Sequence, residues 1–252
     1  MLIDEGHNNF HTISGRFSPF AHALRTVGGF HVSGTSALHN LSHEQILVIS
    51  GAVSHANKFD WTHPILSAFT EDEVRIIDRF VFRGGSLLLA ADHMPFGGAA
   101  ATLARRFGVH FTNTFVMQQR GEPILFEHDE RAIGVLGAHE ITKNVRSVAT
   151  FTGQAFSAAS GTPLLIFNAP VPCCLPAKRA WDFANATCTS AEGLLQGLAM
   201  QHGRGRAVFL GESGMLTAQV SSTCEPFGFN SHPENLKFIL RLMSWLSADG
   251  RG

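Results

Sequence analysis

Residues 84–98 read GGSLLLAADHMPFGG, and this stretch decides the fold. Ser86 to Ala91 carries no charge and follows Gly84-Gly85, the pattern of a strand buried on both faces. Upstream, Thr70 caps a helix whose first turn holds Glu71, Asp72 and Glu73, which suit the positive end of its dipole. Val74, Ile77, Phe80 and Val81 share the inner face of that helix. Downstream, residues 97–107 read as a helix ended by Gly108, and Val109 to Phe111 as a strand. Further upstream, Ile46 to Ile49 is a second buried run, Phe30 to Ser33 a short strand and Leu2-Ile3 a first strand. Phe17 to Val27 has apolar residues at helical spacing and closes on Gly28-Gly29. Strand and helix thus alternate over residues 1–111, which implies a mostly parallel sheet with right-handed crossovers, sandwiched by helices.

After residue 111 the periodicity changes. Short apolar runs at 124–126, 145–151, 163–167 and 193–200 are separated by turn residues. They predict antiparallel strands that extend the same sheet, so that 1–252 is a single α/β domain with residues 112–200 as its β-rich extension. Ala207 to Leu210 is the last buried strand, and the last helix starts near His232-Pro233.

Composition narrows the function. Apolar residues make up 44% and charged residues 15%, which supports a real core and argues against disorder. A net charge of -1 offers no basic surface for nucleic acid, and no apolar run is long enough to span a membrane. No export signal precedes Asp4, so the chain reads as cytoplasmic; a signal lost upstream would make it periplasmic instead. Cys173, Cys174, Cys188 and Cys224 lack the CxxC spacing of a thiolate zinc site. Free thiols are the expected state, with one bridge within 173–188 as the alternative.

In open parallel sheets, ligands bind beyond the carboxyl ends of the strands. Asp4, Glu5, His7, Asn8, Asn9 and His11 follow the first strand, and Ser50 follows Ile46–Ile49. Asp92 and His93 follow Ser86–Ala91, and Glu212 and Ser213 follow Ala207–Leu210. Taken singly, each fits a turn cap or a loop hydrogen bond. Taken together, they place carboxylates and imidazoles at one end of three buried strands. Glu5, His7, Asp92, His93 and Glu212 are therefore the expected catalytic groups. Asn8, Asn9, His11, Ser50, Trp61 and Ser213 are the expected substrate contacts, Trp61 from a long lid-like loop over 51–69. His7, Asp92 and His93 form a candidate ligand set for a divalent metal such as zinc, although no HExxH spacing is present. No GxGxxG, P-loop or GxSxG pattern occurs.

Four stretches, IDEGHNNFHT (3–12), FRGGSLLLAADHMPFGGAA (82–100), GRGRAVFLGESGMLTAQ (203–219) and NSHPENLKFILRLMSWL (230–246), together resemble an uncharacterised bacterial family related to class I glutamine amidotransferase-like domains. The resemblance implies a flavodoxin-like sandwich with its site at the turn after Ala91. There, Asp92-His93-Met94 stands where amidotransferases hold a nucleophilic cysteine, which argues against a cysteine-dependent glutaminase. The sequence reading favours a hydrolase, metal-assisted or not, acting on a small polar substrate. The alternative is a catalytically silent module of amidotransferase-like descent that binds a sugar or peptide.

Overall fold

The apolar runs become the interior of one large sheet in the computed structural model, which describes residues 1–43, 45–118, 122–220 and 224–247. The first part of the chain forms β1 (Leu2–Asp4), α1 (Ser18–Thr26), β2 (Ser33–Thr35), β3 (Ile46–Ser50), α2 (Glu71–Phe82), β4 (Ser86–Ala90) and α3 (Phe96–Arg106). Then come β5 (Val109–Phe111), β6 (Phe115–Val116), β7 (Ile124–Glu127), β8 (Gly134–Leu136), β9 (Ser147–Thr150), β10 (Phe156–Ala158) and β11 (Thr162–Phe167). The last part forms β12 (Pro172–Leu175), β13 (Thr187–Ser190), β14 (Leu195–His202), β15 (Gly205–Leu210), β16 (Ala218–Val220), β17 (Pro226–Gly228) and α4 (Pro233–Ser247).

Strands pair in parallel in the order β2-β1-β3-β4-β15. Side chains of a strand alternate between faces, and these strands are apolar on both. Val48, Leu88, Val208 and Leu210 pack with Phe20 and Leu24 of α1 and Phe238 and Leu242 of α4. Leu47, Ile49, Leu87, Leu89 and Phe209 pack with Val74 and Ile77 of α2 and Leu103 of α3. Each such side chain, fully buried, contributes roughly 1.5–3 kcal/mol, so this block anchors the loops at its carboxyl end. At the start of α2, the Thr70 hydroxyl accepts from Glu73 N and the Glu73 carboxylate accepts from Thr70 N, a complete capping box. Thr70→Ala is expected to cost about 1 kcal/mol of stability in a denaturant titration; no measurable change would show that the box contributes nothing.

From β15 outward the pairing turns antiparallel. The β14–β15 hairpin closes with Gly203 at φ 60°, and β11 and β8 follow antiparallel. β8 and β7 are parallel, and β9 ends the sheet antiparallel to β7. β5 differs from the parallel strand expected: among the described residues it pairs antiparallel with β10 alone, which in turn joins β14. The second strand lies at Ser33–Thr35 rather than Phe30–Ser33. Residues 112–200 also divide. β7 to β11 and β14 extend the large sheet, whereas β13-β12-β6 form a separate three-stranded sheet.

The coarse class is mixed α/β, with one large sheet and four α-helices among the described residues. The evenly layered flavodoxin-like sandwich is not reproduced, because the sheet runs on beyond its helix-covered half. No helix among the described residues is long and apolar enough to cross a membrane. Free thiols hold for only two of the four cysteines. Cys174 and Cys188 sit directly opposite on β12 and β13 and form a disulfide, while Cys173 is buried and free and Cys224 exposed and free.

Candidate functional site

The carboxyl ends of β1, β3, β4 and β15 carry the polar residues expected there, and the tertiary structure sorts them into two linked clusters. The first grows from Asp4. Its buried carboxylate accepts from Gly6 N at 3.2 Å, from Asn9 Nδ2 at 3.0 Å and from His7 Nδ1 at 2.8 Å. The other ring nitrogen of His7 lies 3.3 Å from Glu73 Oε1, and the ring packs against Phe69. Burial pulls the His7 pKa down, but the hydrogen bond and charge of Asp4, joined by Glu73, outweigh it and hold the group above its ordinary value.

The second cluster surrounds Asp92. Its carboxylate accepts from His93 N at 2.8 Å and from Ser213 N at 3.2 Å. The His93 Nδ1 atom lies 2.7 Å from the carbonyl of Met94, which can only accept, so Nδ1 carries a proton. Nε2 is 3.9 Å from Asp92 Oδ1. Glu212 is buried, and its two oxygens accept from Gly214 N at 2.7 Å and Met215 N at 2.8 Å. Burial, reinforced by the charge of Asp92, holds Glu212 well above the usual carboxylate range. The Ser213 hydroxyl is buried and has no hydrogen-bond partner among the described residues.

His11 is the third imidazole. Its Nδ1 is 2.9 Å from Ser50 Oγ, and its ring stacks on Phe17. Burial lowers its pKa to about 4, against the pull of Asp92 and with help from Arg16. Gly51 makes the packing possible. It sits at φ 59°, and a Cβ there would lie 2.9 Å from Phe10 Cβ and 3.0 Å from His11 Nδ1. Asn9 joins the clusters, since its Nδ2 also donates to Ser50 O at 3.3 Å.

Two loops close over Asp92 and His93. Ala180 N donates to Trp61 O, His63 N donates to Lys178 O, and Thr62 bridges Arg179. His93 stacks on Phe115 with ring centroids 4.2 Å apart, and Trp181 meets it edge-on at 4.8 Å. Trp61 stands 6.5 Å from the same ring. Outside this aromatic cover lies a cleft of about 540 Å³ lined by Phe59, Trp61, Arg179, Ala180, Trp181 and Asp182.

Most of the expected groups therefore meet, but not as one catalytic shell. Glu5 stays outside: it is exposed, and its Oε1 caps Ile13 N at 2.7 Å. Asn8 sits at φ 49° and donates to Val53 O. The expected His7, Asp92 and His93 metal set is not assembled. Among the described residues no group of three or more His, Cys, Asp or Glu is placed to hold a metal. For His7 the reason is local: Asp4 and Glu73 engage both of its ring nitrogens. Sequence reasoning missed Glu73, Gln154 and the placement of Trp181. Glu73 looked like a helix-start acid only, and Gln154, which donates to Ala91 O at 2.8 Å, lies in a stretch without motif.

No family model and no curated protein matches the chain. Solved structures do. The mmIFT52 N-terminal domain superposes with a TM-score of 0.66 at 14% identity, covering 98% of this chain and 97% of that one. The cytoplasmic protein STM1381 from Salmonella typhimurium LT2 follows at TM-score 0.54 and 14% identity, over 97% and 98%. A β-galactosidase from Bacillus circulans sp. alkalophilus gives TM-score 0.51 at 11% identity, covering 97% of this chain but 30% of that one. At such identities the likeness is one of fold. It also corrects an expectation. These neighbours, with no family model behind them, do not indicate the glutamine amidotransferase-like family that the four sequence stretches resemble.

Proposed function

We propose that this chain is a ligand-binding domain that takes a carbohydrate in the cleft between the 51–69 loop and the β12–β13 hairpin. One observation carries the reading: Trp61 and Trp181 converge over His93 and line a cleft of about 540 Å³ that also holds Arg179 and Asp182. Aromatic faces accept the C–H face of a sugar ring, and charged side chains beside them bond its hydroxyls. The polar groups beneath are largely engaged with one another and with backbone, which suits a rigid floor better than a reacting centre. Trp181 is 50% exposed, so Trp181→Ala can be made without opening the core. Calorimetric titration with a panel of mono- and oligosaccharides should find a ligand whose affinity falls about tenfold in that variant, the size of one good aromatic contact. A panel without binding, or a variant that binds equally well, rejects the reading.

A second reading, a hydrolase without metal, draws support from the Asp92–Glu212 pair. A carboxyl whose hold on its proton is strengthened by burial and a neighbouring carboxyl can act as general acid, and the unbonded Ser213 hydroxyl adds a polar group at the same place. Turnover of an ester, amide, phosphoester or glycoside that is lost in Asp92→Asn would establish it in place of silent binding.

A further inference from the structure

A second concave feature lies toward the opposite end of the sheet. Its one wall is the outer face of α2, with Arg75, Arg79 and Arg83 four residues apart; its other wall is the 38–43 segment, with His39 and His43. The volume is about 540 Å³. Leu38 and Phe80, both buried, and Ile76 and Leu41 make the floor apolar. Arg75 is ion-paired with Asp72. The Arg79 and Arg83 guanidinium groups have no hydrogen bond or ion pair among the described residues.

We infer that this groove binds an organic anion with an apolar body, such as a medium-chain carboxylate. Like charges one helical turn apart repel, and an anion held between Arg79 and Arg83 relieves that repulsion. The guanidinium fork matches the two oxygens of a carboxylate. Compensation of the helix dipole accounts for positive charge near the end of α2, but not for an apolar floor facing it. The volume falls within the roughly 300–1,000 Å³ usual for small-ligand pockets. A docked protein would instead cover about 800 Å² per partner. The groove is lined by neither Asp92 nor His93, shares no lining residue with the aromatic cleft, and is independent of the carbohydrate reading.

The test uses the full chain and 8-anilinonaphthalene-1-sulfonate, an apolar anion that fluoresces when bound. Saturable one-site binding is expected, and it should persist in Trp181→Ala. Arg79→Gln with Arg83→Gln should weaken it tenfold or more while circular dichroism and Tm stay as in the parent, because both side chains are exposed. Decanoate should displace the probe and decanol should not. The inference is overturned if no saturable site exists, if the double variant binds equally, if decanol competes as well as decanoate, or if polyglutamate alone competes.

Discussion

Glu212→Ala is expected to lower the unfolding free energy by about 3 kcal/mol or more, since each buried donor left without a partner costs roughly 1–3 kcal/mol. The side chain is buried and receives Gly214 N and Met215 N on separate oxygens, with Phe151 N as a further donor. Alanine removes every acceptor at once and leaves a small void. Glu212→Gln separates the causes. Its amide oxygen still accepts from one of the two donors, but its Nε2 cannot accept from the other, so its loss should be smaller than that of alanine, roughly the 1–3 kcal/mol of a single donor left without a partner. Urea titrations of the two variants decide the matter. Equal losses would show that the retained amide oxygen satisfies no backbone donor, against the expected difference. The raised pKa also has a sign: the Glu212 contribution is complete below the ordinary 4.5 and is lost as pH rises toward the higher folded value.

His11 works in the opposite direction. Its pKa falls from 6.5 to about 4 in the fold, so the folded chain holds it neutral while the unfolded chain protonates it. Its stabilising contribution is complete above 6.5 and is lost as pH falls toward 4. At 1.36 kcal/mol per pH unit that is about 3 kcal/mol. Both His7 and Glu212 are raised, and each is favoured by acid, so the parent curve alone mixes the signs. His11→Asn keeps a group that can bond Ser50 Oγ and removes the titration. The drop in stability between about pH 7 and pH 4 should be smaller in this variant by about 3 kcal/mol. Parallel curves for variant and parent would show that burial of His11 does not control acid stability.

Legibility in the sequence followed the range of the forces involved. The helices at 18–26, 71–82 and 233–247 were plain, because caps and 3.6-residue periodicity are set by neighbours along the chain. The buried runs ending at Ile49, Ala91 and Leu210 were equally plain, and placing Ser50, Asp92 and Glu212 at their ends followed directly. The β-rich half was legible as strands but not as a topology. β5 and β6 are close in sequence yet belong to different sheets, a choice made by partners some 45–60 residues away.

The candidate site divides on the same line. Sequence alone determined that acids and imidazoles follow three apolar strands, since strand direction carries each of them to one end of the sheet. Only the tertiary structure decided how they are used. Glu73 reaches His7 across 66 positions, Asp92 turns its second oxygen to Ser213 across 121, and Met94 O accepts a hydrogen bond from His93 Nδ1. Hydrogen bonds and burial act over about 3 Å in space, whatever the separation along the chain. For that reason the expected residues divide into two polar clusters, of which the one around Asp92 and His93 lies beneath an aromatic cover.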